Sequence, residues 1–242
     1  MKKFITENIK TLFYASIIAI IIRSLFFQPF HIPSSSMEPT LLIGDKIFVS
    51  KYSYGYSKHS FPFSPNLFSK RYFEKKPERG DVVVFKTPVD NRTDYIKRLI
   101  GLPGDTIQFI NGEIFLNGYI IEKTKTKYKK NIYCGETSIK VDAYIETLPN
   151  KKKYLAVYSQ ENTLLNSDLY KVPEGHYFFL GDNRDCSKDS RYLTSVGYVK
   201  IENLVGKAKI IFFSNDKKIA NFMKFWKWPE SIRFNRIFSK IK

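Results

Sequence analysis

Three consecutive serines stand between Pro33 and Met37 in the run Ile32-Pro33-Ser34-Ser35-Ser36-Met37-Glu38-Pro39-Thr40-Leu41. They follow an apolar stretch at a point where a helix has to end, so a hydroxyl here is placed to act as a nucleophile at a bilayer surface. A serine hydroxyl is a weak nucleophile at neutral pH and needs a base to take its proton. Histidine is the usual base, yet His31 lies only five residues before Ser36, and His59 and His176 sit in stretches without the company a triad requires. The other solution is a lysine kept neutral by burial. Lys97 stands in the apolar, strand-like run Tyr95-Ile96-Lys97-Arg98-Leu99-Ile100. A free lysine has a pKa near 10.4, and making it a base near pH 7 requires burial that costs the ammonium about 3 to 4 kcal/mol. In an extended segment Arg98 alternates to the opposite face, so its charge need not enter the same pocket.

The elements that must position these groups can be read from pattern. Met1-Lys2-Lys3 and the apolar run Thr11 to Ile22 look like the start of an export signal, but small residues of a cleavage site are missing, so residues 11–28 are read as an uncleaved membrane anchor. The uninterrupted run is short of the roughly 20 residues a span needs, and it must extend towards Phe27 or Phe4 with Arg23 or Lys10 snorkelling to the head groups. Lys2, Lys3 and Lys10 precede the span and Arg23 alone follows closely, which places the N-terminus (1–10) in the cytoplasm and the rest outside. Pro29 and Pro33 then stop the helix and leave Phe30 to Pro33 extended. Beyond the anchor the chain reads as β-structure. Lys46 to Ser50, Asp81 to Lys86, Tyr177 to Leu180 and Lys209 to Ser214 are short strand-like runs, and Ile107 to Ile121 is a three-stranded meander with turns at Asn111-Gly112 and Asn117-Gly118. Residues 106–171 are assigned to a β-rich accessory insertion, and Lys51 to Arg79 to an exposed loop near the membrane.

A formal charge of +17 over 242 residues implies attraction to something anionic. Position favours lipid over nucleic acid. Residues 215–242 mix eight lysines and arginines with Phe222, Phe225, Trp226, Trp228, Phe234 and Phe238, the composition of an interfacial segment, and are read as a basic aromatic tail. Cys134 and Cys186 are too few for a disulfide framework; one bridge is arithmetically possible, and two free thiols is the ordinary reading. Neither a metal-ligand cluster nor a phosphate-cradling glycine loop is visible, so no metal and no cofactor are expected.

Four blocks in order, namely the Ile32 to Leu41 run, Arg79-Gly80-Asp81-Val82-Val83-Val84-Phe85, Tyr95 to Asp105, and Gly181-Asp182-Asn183-Arg184-Asp185-Cys186-Ser187-Lys188-Asp189-Ser190-Arg191-Tyr192, closely resemble bacterial type I signal peptidase. The resemblance implies a mainly β fold, with a coiled, partly open barrel core over 29–105 and 172–214 and one N-terminal transmembrane helix. It implies a membrane-bound serine endopeptidase of the cytoplasmic membrane, working on its outer face on exported preproteins. Ser36 matches the nucleophile and Lys97 the general base; Ser34 and the Ser36 N–H match the oxyanion hole. Ser187 matches the hydroxyl that orients the lysine, and Asp189 with Arg191 a supporting ion pair. Cys186 stands where members of the family often carry asparagine. Phe30, Ile32, Pro33, Met37, Leu41, Ile47, Val84, Tyr95 and Ile96 match positions lining two shallow apolar pockets for small residues before the cut. The substrate strand would lie between Asp94 to Ile96 and Phe30 to Pro33. Two other readings compete: a self-cleaving Ser-Lys protease of the repressor type, and a non-enzymatic basic module binding membrane or nucleic acid.

Overall fold

The computed structural model describes residues 2–65, 70–135, 137–161, 163–216, 219 and 225–242. The first element is a helix, α1 (Lys2–Leu25), without a glycine or proline, polar in its first turns and apolar on every side from Leu12 to Ile22. Such a helix has no face to bury against a core, and its described side chains are exposed up to Arg23, with Ser24 buried and Leu25 half-buried where it meets the rest of the chain. Thr6–Phe26, 21 residues, is long and apolar enough to cross a bilayer, a length of about 30 Å at helical rise. Two hydroxyls inside it, Thr11 and Ser16, donate back to the carbonyls of Glu7 and Leu12 and need no outside partner, whereas Ser24 Oγ near its end is buried without a hydrogen bond. The helix ends at Leu25 and the chain enters β1 (Phe27–His31), where Pro29 can no longer accept a helical turn.

The chain beyond α1 is mainly β. β2 (Asp45–Ser50), β3 (Val82–Lys86) and β4 (Asp94–Gly101) follow β1. The meander is β5 (Thr106–Ile110), β6 (Glu113–Leu116) and β7 (Tyr119–Ile120), and its connections are the two Asn-Gly pairs. All four turn residues have positive φ, as a two-residue hairpin turn of this hand demands. An accessory three-stranded sheet contains β8 (Glu122–Cys134), β9 (Thr137–Thr147) and β10 (Lys153–Ser159), in the order β10-β9-β8. The chain returns through β11 (Tyr170–Lys171), which pairs with β5, then β12 (His176–Leu180), β13 (Val199–Lys200), β14 (Leu204–Ser214) and finally β15 (Ser239–Lys240). The main curled sheet has the order β1-β2-β14-β3-β4-β12-β13, with β15 pairing β14. Alternation fixes its register: in β2, Ile47 and Val49 are buried while Lys46 and Phe48 face out.

Long-range contacts supply three features that the sequence pattern leaves open. Cys134 and Cys186, for which the sequence leaves both two free thiols and one bridge open, are joined in a disulfide that fastens the end of β8 to the loop after β12. Within the segment read as an exposed loop, the Arg71 guanidinium is buried and donates to the carbonyls of Gly55 (2.8 Å), Ile201 (2.8 Å) and Leu204 (2.5 Å), pinning the loop to β14; residues 66–69 lie outside the described residues. The basic tail is folded back over its C-terminal half. Arg236 pairs with the buried Asp45 (2.6 Å), Arg233 with Asp216 (2.8 Å), and Ile241 packs against the cluster of Ile32, Met37, Leu41 and Ile47. Phe222, Lys217, Lys218 and Lys224 lie outside the described residues.

Candidate active site

Lys97 sits on β4, paired through its Cα with Val83 of β3 in a sheet rich in β-branched residues on both strands. The side chain is 3% exposed and its amine lies 2.7 Å from Ser36 Oγ and 2.9 Å from the carbonyl oxygen of Ile96, to which it donates. Burial lowers its pKa to about 8; Asp189 and Asp182 pull in the opposite direction, and Arg191 adds a small further depression. Arg98 does turn to the other face. It is itself buried and held bidentately by Asp182, at 2.7 and 2.6 Å.

Ser36 lies in the turn after β1, where it is buried at 7% exposure beside a fully buried Met37. Its position is fixed from the loop after β12: the Asn183 N–H donates to the Ser36 carbonyl at 3.2 Å and the Asn183 side-chain amide to the Ser35 carbonyl, also at 3.2 Å. Ser34 Oγ lies 3.3 Å from Ser36 Oγ and is exposed, so a hydroxyl donor stands beside the nucleophile candidate on its solvent side. Ser35 is buried with its Oγ 3.9 Å from Cys186 Sγ, pointing into the protein rather than to the cleft.

Ser187 departs from expectation. Its hydroxyl is buried and makes no hydrogen bond, whereas the amine it was expected to orient is held by the Ile96 carbonyl. It packs against Gly181, where a Cβ would come within 2.2 Å of Ser187 Oγ and 2.5 Å of the Ser36 carbonyl oxygen. Gly181 is therefore a position at which the absence of a side chain is required, and only the close-approach role of glycine within its block could have suggested this from sequence. Asp189 and Arg191 do pair, at 2.8 and 2.9 Å, and Asp189 also accepts the Gly181 N–H at 3.0 Å. A second buried pair was not foreseen. Arg184 meets Glu146 of β9 at 2.5 Å, with the hydroxyls of Tyr154 and Tyr158 of β10 donating to the same carboxylate, so the accessory sheet is locked to the loop that carries Ser187. Burial pushes the Glu146 carboxyl up, but the Arg184 charge and the hydrogen bonds from Tyr154, Tyr158 and Arg184 outweigh it and hold the group below the usual range.

Of the expected pocket residues, Ile32, Met37, Leu41, Ile47 and Val84 form one buried cluster with Phe30 and Ile96 at its half-buried edge. Pro33 is exposed, and Tyr95 belongs to a different cluster, its ring against Phe85 and 5.2 Å beneath the Lys97 amine. Among the described residues no group of histidine, cysteine and carboxylate side chains is arranged to hold a metal.

A family model described as signal peptidase, peptidase S26 matches residues 5–213. Signal peptidase I of Rickettsia typhi is 43% identical over 99% of this chain and 95% of its own length. Signal peptidase I of Rickettsia massiliae is 46% identical over 93% of this chain and 88% of its own. A crystal structure of a signal peptidase I from Enterococcus faecalis aligns with 55% of this chain and 97% of its own at 31% identity and a TM-score of 0.32. On the family match and the extent of these sequence relatives, this chain belongs to the signal peptidase, peptidase S26, family.

Proposed function

We propose that this serine endopeptidase of the signal peptidase family removes signal peptides from exported preproteins through a dyad of Ser36 and Lys97. The observation that carries the reading is the 2.7 Å contact between a buried lysine amine, with its pKa brought down to about 8, and the hydroxyl of Ser36. In the neutral form the amine takes the Ser36 proton as Oγ attacks the scissile carbonyl. The oxyanion then meets the Ser34 hydroxyl and the Ser36 N–H, donors of a kind worth about 3 to 4 kcal/mol each in acyl transfer. The ammonium so formed lies in the field of Asp189 and Asp182, and returns its proton to the leaving amine. Water repeats the sequence on the acyl-enzyme.

Substrate would enter extended between β1 and β4, with Phe30 and Ile96 as the walls it touches. Met37, Leu41, Ile47 and Val84 support those walls from behind, and overpacking by a branched or aromatic residue costs about 1 to 3 kcal/mol, which favours small residues before the cut. With α1 spanning the cytoplasmic membrane and its basic end inside, the site works at the outer face of the bilayer. Cleavage of a purified preprotein, with Ser36→Ala as the control, tests the reading. It expects a single cut after the signal peptide and none by the variant; equal cleavage by Ser36→Ala removes Ser36 from the mechanism.

A further inference from the structure

Away from the dyad, a cavity of about 350 Å³ opens where α1 meets the β domain, within the size range of ligand pockets. It is lined by three cations, Arg23, Lys86 and Arg92, against the single carboxylate of Asp94. Arg23 comes from the last turn of α1, three residues before the end of the membrane-length segment, so it stands at the depth of lipid head groups. Arg92 is presented by a loop ordered by Asp90, whose carboxylate accepts from the N–H groups of Arg92 (2.8 Å) and Thr93 (3.0 Å). Lys86 is held by Asp94 at 2.9 Å and by the Arg92 carbonyl at 2.6 Å, which fixes its amine at the mouth. The rest of the lining includes Gln28, Val205 and Phe30, the last also a wall of the proposed substrate path, and the Phe61-Pro62-Phe63 segment, with the Phe63 ring fully exposed beside the charged opening.

Two buried groups beside the cavity lie in the field of its cations. Lys51 is brought down to about 7, by burial and then, against the pull of Asp94, by Arg23, Lys86 and Arg71. His59 is brought down to about 4, by burial and then by Lys58, Lys86, Arg71 and Lys51. Burial is the larger cause in both, and the neighbouring cations add to it, so an anion placed in the cavity would relieve that second part.

We propose that this cavity is a binding site for the phosphate of an anionic phospholipid head group, with Arg23, Lys86 and Arg92 as its cationic lining and Phe63 lying against the acyl region. Cations within a Debye length of an anionic bilayer gain from its surface potential, and a concave site at the membrane edge turns that general attraction into one defined contact. The inference rests on α1 spanning the bilayer. Retention of the full chain in carbonate-washed vesicles reports on that reading separately.

The test uses the full chain in neutral detergent, with retained lipid counted by native mass spectrometry during titration with dihexanoyl phosphatidylglycerol, dihexanoyl phosphatidylcholine or inorganic phosphate. Phosphatidylglycerol is expected to be held at least about tenfold more tightly than phosphatidylcholine, the preference vanishing in Arg23→Gln/Arg92→Gln and returning in Arg23→Lys/Arg92→Lys. The lysine variant shows that loss reflects charge and not misfolding. Equal retention of the two lipids, or full retention by the glutamine variant, overturns the proposal. So does inorganic phosphate bound as tightly as the lipid, which makes the site one for free phosphate. Displacement of bound phosphatidylglycerol by a signal peptide with glutamate upstream of the cut, at a concentration where its alanine counterpart displaces nothing, assigns the cavity to substrate and also overturns it.

Discussion

Lys97 has to be deprotonated to accept a proton, and burial brings its pKa to about 8, so turnover should rise with pH and level off above that value. Peptide cleavage measured from pH 6 to 10 checks this, and Lys97→Arg should retain less than about a tenth of the activity because arginine keeps its charge throughout the range. The same burial acts on stability with a definite sign. The unfolded chain binds the proton more tightly than the native one, so native stability rises with pH between about 8 and 10.5, and below 8 the full cost of about 3 kcal/mol is present. Lys97→Met should therefore melt higher than the native protein at pH 7, and the gap should narrow towards pH 10. Gly181 offers a different test. A methyl group there collides with Ser187 Oγ and the Ser36 carbonyl, so Gly181→Ala should move the nucleophile and lower kcat by about a hundredfold with little change in KM, measured by steady-state cleavage. Nothing in the local sequence separates this glycine from an ordinary turn residue, since its constraint comes from Ser36, far away along the chain.

The strands whose cause is local were legible in advance. Ile107 to Ile121 reads as a meander because each Asn-Gly pair supplies the positive φ that its hairpin needs, and the register follows from the turns. Lys97 was legible as a strand residue from the apolar run around it, while its burial was expected only from the resemblance its block carries. The features that escaped are joined across the fold: Glu146 stands in a stretch of weak periodicity and gains meaning only when Arg184 arrives opposite it. The Cys134–Cys186 bond is of the same kind, closing a separation of 52 residues. On the chain-entropy account a loop of that size contributes about 4 kcal/mol, so the Cys134→Ser/Cys186→Ser double variant should melt well below the native protein. The Glu146–Arg184 pair still ties β9 to the loop before Ser187, and the double variant is expected to keep measurable activity at temperatures below its melt. Calorimetry paired with cleavage at 20 °C checks both parts.

At the scale of the whole molecule, fold class was legible and closure was not. An apolar anchor followed by alternating strands indicates a membrane-tethered β protein, but the order β1-β2-β14-β3-β4-β12-β13 places a late strand between two early ones. β14 pairs with β2 along Asp45–Ser50, with β3, and with β15, while Arg236 reaches back to Asp45. A ribosome delivers β2 and β3 long before β14, and until Leu204–Ser214 follows them each waits with an unpaired edge facing solvent. Acquisition of the native sheet is thus a terminal event of biosynthesis, governed by the most distant pairing and not by the nearest. A chain stopped after Asn203 should be digested by a dilute protease within minutes while the full chain resists, and gel analysis of the two separates late closure from piecemeal assembly. During synthesis the chain is a string of exposed strand edges, which makes the interval before its completion the period of greatest exposure to quality-control proteases.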